Sequence, residues 1–313
     1  MNTVHVVTGA GPVGSTVALQ LADAGQQVRL LTRSGSGPDH PSIERRQVDV
    51  SQRDALAEAF AGATAVHHCI HGSAYDARVW RDELPRAEAA VLEAAGRVGA
   101  VVVFPESLYS YGPVEGPITE HTPRSVTGGK LGVRTDLLAQ REASATPTVS
   151  VAASDFYGPL VRNAHAGERM VPTVLAGRTM RVLGSLDQPH SFTYVPDLAA
   201  AMIEAARRED LWNSLLHAPT AAPVTQQRLV EMVATAGGVP VPRTSAIPPW
   251  VLRASGLVSR EMRELAETSY MFTEPFVLES TVSEGRLGLA PTPMADGVAR
   301  TVAWWREQER AAA

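Results

Sequence analysis

The chain has 313 residues, 44% of them apolar, and a net charge of −5. That is enough apolar material for a large core with a smaller appended lobe, while the isolated pairs Arg45-Arg46 and Arg207-Arg208 make no basic stripe for a nucleic acid. No apolar run is long enough for a bilayer, no basic–apolar leader opens the chain, and the single cysteine, Cys69, excludes internal disulfides, so a cytoplasmic protein is expected.

Val4 to Val7 reads as a buried strand ending at Thr8, and Gly9-Ala10-Gly11-Pro12-Val13-Gly14 follows with the Gly-x-Gly-x-x-Gly spacing that turns a strand into a helix. Such a turn leaves backbone N–H groups at the positive end of a helix dipole, and bare Gly9 and Gly11 let a pyrophosphate reach the backbone. The helix, Ser15 to Ala24, has Val17, Ala18, Leu21 and Ala22 on one face and stops at Gly25; a second strand, Val28 to Arg33, completes the unit. No acid stands at the end of that strand to hold a ribose diol. Arg33 and Ser34 instead offer a cation and a hydroxyl to a 2′-phosphate, which favours NADPH, with NADH as the other candidate.

Gln47 to Val50 reads as a third strand, with Ser51 capping a helix over Arg53 to Phe60. Asp49 there either accepts a hydrogen bond from an adenine amino group or caps its own loop. Ala65 to Ile70 is the fourth strand, and its end, Ile70-His71, passes the cofactor because ligands bind at the carboxyl edge of a parallel sheet. His67 and His68 point to opposite faces with no thiolate or carboxylate at ligand spacing, so no metal is expected. A helix over Arg86 to Arg97 and a strand over Val101 to Phe104 lead into Pro105 to Gly112, where Ser107, Tyr109, Ser110 and Tyr111 can hydrogen-bond a carbonyl. Of 28 basic residues a single one, Lys130, is lysine, so any amine chemistry rests on it. Pro248 to Val277, with Trp250, Leu252, Met262, Met271 and Phe276, fits a lid over an apolar substrate or the core of the lobe, and Trp304-Trp305 reads as an anchor for the last helix.

The glycine turn, Asp49-Val50, Ser107 four residues before Tyr111-Gly112, Ser154-Asp155-Phe156-Tyr157-Gly158-Pro159 and His190-Ser191-Phe192-Thr193-Tyr194-Val195-Pro196-Asp197 together resemble the extended short-chain dehydrogenase/reductases, the NAD-dependent epimerase/dehydratase group. The resemblance implies an α/β fold, a Rossmann doubly wound parallel sheet with a smaller C-terminal lobe. It places the NADP-binding domain over 1–155, continued by about 189–222, and the substrate lobe over 156–188 and 223–313. It makes Ser107 the catalytic serine and puts Asp155, Phe156 and Tyr157 beside the nicotinamide; Asp49, Val50 and Lys130 are further cofactor-binding candidates, and Tyr109, Tyr111, an ordered water or a phenol of the substrate are the candidate proton sources.

The departures concern catalysis. The family's acid–base pair is Tyr-x-x-x-Lys on one helix, the lysine lowering the tyrosine pKa. The matching helix, Thr127 to Leu138, has no tyrosine, no asparagine lies between Asn2 and Asn163, and the glycine turn is one residue shorter than usual. Simple reduction tolerates these losses best. The chain is similar to atypical reductases of actinobacterial aromatic polyketide pathways, which implies an NADPH-dependent ketoreductase acting on an apolar, polycyclic aromatic (angucyclinone-type) ketone, as a monomer or homodimer. The alternatives are a nucleotide-sugar epimerase/dehydratase and a non-catalytic NADP-sensing regulator.

Overall fold

The computed structural model describes residues 4–256 and 259–312; the side chain of Leu252 lies outside the described residues. The chain runs β1 (Val4–Thr8), α1 (Pro12–Asp23), β2 (Gln27–Thr32), β3 (Ile43–Gln47), α2 (Arg53–Phe60), β4 (Ala63–His68), α3 (Ala77–Val98), β5 (Val101–Ser107), α4 (Gly129–Glu142), β6 (Thr148–Ala153), β7 (Asp155–Tyr157), α5 (Val171–Leu175), β8 (Met180–Leu183), β9 (Phe192–Tyr194), α6 (Val195–Arg207), β10 (Ser214–His217), α7 (Gln226–Gly237), β11 (Thr244–Ile247), α8 (Pro249–Ser255), α9 (Arg260–Glu267), α10 (Thr281–Leu287) and α11 (Met294–Ala312).

Seven strands form one parallel sheet in the order β10-β6-β5-β4-β1-β2-β3. The strand order reverses between β1 and β4, and this switch point opens a crevice at the carboxyl edge. Val6 and Val7, neighbours on β1 that point to opposite faces, are both fully buried, because helices cover the sheet on two sides. Val7 packs in the core under α1 and α6, Val6 in the core under α2 and α3. Each fully buried valine or leucine of these layers contributes about 1.5–3 kcal/mol.

Several elements differ from the sequence reading. Helix α1 begins at Pro12, three residues early, because proline's fixed φ suits the first helical position. Helix α3 runs 22 residues straight through Pro85 from an Asp76 cap that accepts from Arg78 N (2.8 Å) and Val79 N (3.2 Å); tertiary packing of Trp80, Leu84 and Val91 outweighs the lost hydrogen bond. Strand β3 ends at Gln47, where the third strand was expected to begin. It is an edge strand whose Glu44 pairs with Arg46 (2.8 Å) and Arg29 (3.6 Å), charges that suit a solvated edge.

The smaller lobe is built from the two-stranded sheets β7–β9 and β8–β11 with α5, α7 and α11, around Met170, Val174, Phe192, Leu229 and Trp305. Trp305 is the expected anchor; Trp250, by contrast, is 68% exposed. Met271, Phe272 and Phe276 are buried against Leu108 and Tyr111, so this part of the segment read as a possible lid is core shared with the loop after β5. No helix among the described residues is long and apolar enough to cross a membrane.

Candidate active site

Beyond β1 the chain turns at Gly9, whose φ of +89° lies in the left-handed region and whose added Cβ would sit 2.9 Å from the Cys69 carbonyl oxygen. A Cβ on Gly14 would come within 2.0 Å of the Gly9 carbonyl oxygen. These two glycines are required by the protein's own packing. Gly11 is different: a Cβ there meets nothing within 4 Å. The open space over Gly11, together with a 12-residue helix α1 whose start has no side-chain cap and no acid in its first turn, fits a pyrophosphate. The Val13 side chain is in the core, which leaves only its backbone on the turn. Ile70, whose Cγ1 would lie 3.2 Å from a Cβ on Gly9, and His71, edge-on to Trp80 at 4.5 Å, border the same crevice.

Arg33 follows β2, exposed and without a hydrogen bond or ion pair among the described residues; Ser34 Oγ meets Ser36 Oγ at 2.7 Å. Asp49 lies past the end of β3 and accepts from Ser51 N (2.9 Å). That bond, with the nearby Arg33 charge, holds its carboxyl below the usual range. The loop-capping reading of Asp49 is thus the one the structure displays. Val50 packs against the core under α2 and α3.

The other side of the crevice starts at the end of β5. Glu106 is 1% exposed, and burial alone would raise its pKa; Arg134, Arg141 and the Ser107 N–H outweigh this and keep it ionised. Arg134 Nε contacts Glu106 Oε1 (2.8 Å) and donates to Ser107 Oγ (3.2 Å), while Ser107 Oγ donates to Glu106 Oε1 (3.3 Å). Ser107 is therefore turned toward protein partners and positions Arg134. The two terminal amino groups of Arg134 have no hydrogen-bond partner among the described residues, and its guanidinium lies 5.8 Å over the Trp80 ring. Behind it, Arg141 forks onto Glu88 (2.6 and 2.8 Å) and reaches Glu106 Oε2 (2.7 Å) and Ser150 (3.0 Å), all buried.

Three assignments need correction. Lys130 is fully buried, and its amine donates to Glu264 Oε2 (2.6 Å), Glu267 Oε2 (2.7 Å) and the Glu264 carbonyl (2.7 Å), with its charge 4.5 Å over the Tyr75 ring. All three ammonium hydrogens are engaged, so Lys130 ties α4 to α9 and has none for a cofactor. Tyr111 donates to His217 Nε2 (2.8 Å), because His217 Nδ1 faces the Glu279 carbonyl (2.6 Å) and must carry the other hydrogen. Its hydroxyl thus joins β10, two strands beyond β5, and burial pushes its pKa up to about 12. Tyr157 sits in the lobe core at 5.2 Å from Tyr194, its hydroxyl pointing toward Gly297 of α11.

Tyr109 stays beside Ser107, its N–H 3.5 Å from Ser107 Oγ. Its hydroxyl meets Tyr75 (2.9 Å), Tyr75 meets Thr268 (3.3 Å), and Thr268 donates to the Leu265 carbonyl (3.3 Å). That carbonyl sets the direction: each hydroxyl donates inward, and Tyr109 presents lone pairs outward. Burial and Tyr75 hold its pKa well above the usual range. Asp155 Oδ2 pairs with His190 Nε2 (2.7 Å), and His190 Nδ1 faces the Met271 carbonyl (2.9 Å), so each ring nitrogen of His190 faces an acceptor. Phe156 packs against the main core.

Arg134, Glu106 and His190 were missed as site residues. The signal for Arg134 was present, since Lys130-x-x-x-Arg134 keeps the four-residue spacing of the absent pair and so shares one helix face. Among the described residues no three His, Cys, Asp or Glu side chains converge on a cation site.

A profile of the NAD dependent epimerase/dehydratase family matches residues 5–213. A UDP-glucose 4-epimerase of Streptomyces lividans is 29% identical over 301 residues, covering 83% of this chain and 90% of that one. The fold is similar to that of a UDP-glucose 4-epimerase from Thermotoga maritima solved with UDP-glucose (TM-score 0.76, 17% identity, 98% of this chain and 100% of the other). It is also similar to the Bordetella bronchiseptica enzyme WbmH in complex with NAD+ (TM-score 0.76, 19% identity, 98% and 99%).

Proposed function

The chain belongs to the NAD dependent epimerase/dehydratase family, and from that premise we propose that it is an NADPH-dependent reductase of ketones with apolar, aromatic faces. The single observation that carries this reading is Arg134, a guanidinium held by Glu106 and Ser107 with its two terminal amino groups free at the carboxyl edge of β5. Hydride addition to a carbonyl develops negative charge on oxygen, and a preorganised cation is suited to receive it. Arginine keeps its proton at any working pH, so Arg134 stabilises an oxyanion but cannot act as the base that alcohol oxidation demands.

The Gly9–Gly14 turn, Ile70 and His71 are the residues that would hold the dinucleotide, with Arg33 on a 2′-phosphate; when bound, its nicotinamide supplies the hydride. Arg134 binds the carbonyl oxygen, Ser107 and Glu106 orient Arg134, and Trp80, Tyr75 and Tyr109 form the aromatic wall. Since the Tyr109 proton is directed inward, the proton that completes the alcohol comes from water.

The test is reduction of 1-tetralone followed by loss of NADPH absorbance. Arg134→Met lowers kcat by about 10²–10³-fold, the usual loss for an oxyanion donor, while Tyr109→Phe stays within about fivefold of wild type. Unchanged kcat in Arg134→Met rejects the mechanism. A second reading, nucleotide-sugar 4-epimerisation, is favoured by the named relatives. It is tested with UDP-glucose and NAD+: appearance of the 4-epimer, with no ketone reduced, selects it.

A further inference from the structure

A cavity of about 350 Å³ opens between the start of α3 and α9, lined by Arg78 and Arg81 from α3 and by Arg260, Arg263 and Glu264 from α9. Neither the Gly9–Gly14 turn nor Ser107, Tyr109 or Arg134 lines it, so it is a place apart from the crevice at the switch point. Residues three apart on a helix share a face, so Arg78 with Arg81, and Arg260 with Arg263, turn two pairs of guanidinium groups toward one space.

The pair on α9 is anchored. Arg260 pairs through Nε with Asp76 Oδ2, and Asp76 is itself buried and fixed as the cap of α3. Arg263 donates from Nε to the Gly256 carbonyl (3.0 Å). Both contacts use the inner nitrogen, which leaves the two terminal amino groups of each arginine without a hydrogen-bond partner among the described residues. The pair on α3 is free: the exposed side chains of Arg78 and Arg81 make no hydrogen bond or ion pair among the described residues.

The acid on the lining is already engaged, since Glu264 Oε2 accepts from Lys130 Nζ (2.6 Å) and Ala77 N (3.3 Å). Arg78 N and Val79 N go to Asp76, so the first turn of α3 has its amides satisfied and the free donors around the cavity are guanidinium groups. Like charges around one space repel, an anion between them reverses the sign, and the arginine fork matches phosphate oxygens two at a time. Two pairs on two helices call for an anion with two charged groups.

We propose that this cavity binds a small diphosphate anion, one phosphate on Arg78 and Arg81 and the other on Arg260 and Arg263, which fastens α9 to α3. Helix α9 holds Lys130 through Glu264 and Glu267, and its Leu265 carbonyl directs the Thr268–Tyr75–Tyr109 chain. The anion therefore steadies a wall of the crevice without entering it.

The test is calorimetric titration of the full chain with inorganic pyrophosphate, orthophosphate and ADP. Pyrophosphate binds at least about tenfold more tightly than orthophosphate, which reaches one pair only. Arg78→Gln/Arg81→Gln, whose native side chains hold nothing in the protein, weakens pyrophosphate at least about tenfold; Arg78→Lys/Arg81→Lys, with the charges but without the forks, falls between. Gly11→Ala leaves that affinity within about twofold. The part of ADP binding that the glutamine variant removes tells a nucleotide source from the free anion. Pyrophosphate also slows amide hydrogen exchange over 260–267 by about threefold or more in the wild type and not in the glutamine variant. Absence of pyrophosphate binding, no preference over orthophosphate, an affinity unmoved by the glutamine variant, or binding that leaves exchange in α9 unchanged overturns the proposal. Loss of binding in Gly11→Ala alone places the anion on the dinucleotide turn and overturns it equally.

Discussion

Replacing Arg141 by methionine removes the centre of a buried charge chain that runs from Glu88 through Glu106 to Arg134. Its guanidinium makes four hydrogen bonds, two to Glu88 and one each to Glu106 and Ser150, and covers the Phe104 ring at 4.0 Å. In Arg141→Met the Glu106 carboxylate keeps Arg134, but Glu88, 3% exposed, loses both bonds of its fork and has no other counter-ion among the described residues. Breaking one side of such a pair costs about 3–5 kcal/mol, a large part of the roughly 5–15 kcal/mol that holds a domain together. Urea unfolding followed by far-ultraviolet circular dichroism reads the loss directly. The double variant Glu88→Met/Arg141→Met removes both charges from the pocket and returns to within about 2 kcal/mol of wild type, since an apolar pair of similar volume replaces a buried ion pair at little cost. A single variant within about 1 kcal/mol of wild type, or a double variant no more stable than the single, would refute this account of the charge chain.

Gly11→Ala keeps the wild-type melting temperature and weakens nucleotide binding at least about tenfold by calorimetry, because its methyl enters the ligand's space alone. Gly14→Ala instead lowers the melting temperature through the clash with the Gly9 carbonyl; equal thermal effects in the two variants would contradict the cradle. Arg33→Ala raises the Kd for NADPH about tenfold and leaves that for NADH unchanged, and an unaltered ratio would remove Arg33 from the cofactor site. The pH dependence follows from burial, which lowers His5 to about 4 and, with smaller help from Arg141 and Arg134, His68 to about 3, against an ordinary 6.5. The native state keeps these rings neutral while the unfolded chain takes up protons below pH 6.5. Stability is therefore complete above 6.5 and falls by about 1.4 kcal/mol per pH unit for each histidine as pH drops toward 4. Unfolding free energies that stay level between pH 6.5 and 5 would sink this expectation.

The parallel sheet and its glycine turn were readable because they depend on neighbours in sequence: an apolar run, glycine spacing, a helical face. What escaped depends on distance along the chain. Lys130 stood out as the sole lysine, but its partners Glu264 and Glu267 lie 134 and 137 residues away, and only folding reveals that its charge is already satisfied. Tyr111 looked reactive from its place after a buried strand; the hydrogen bond that removes it comes from His217, 106 residues on. Pro85 misled in the opposite sense, since local reading takes proline as a helix boundary and cannot weigh the packing of Trp80 and Leu84 on either side of α3. Arg134 is legible in the sequence, one helical turn from Lys130 and on the same helix face, as a cation at the spacing of the absent pair.

The sequestered amine of Lys130 also makes the protein a reporter of its own motion. Acylating reagents that modify exposed lysines find no side-chain target on this surface, because the only ε-amino group is fully enclosed by α4, α9 and the ring of Tyr75. Attachment of a label at Lys130 requires α9 to lift, so the rate of that single covalent event clocks the separation of α9 from α4, without an added probe or an engineered residue.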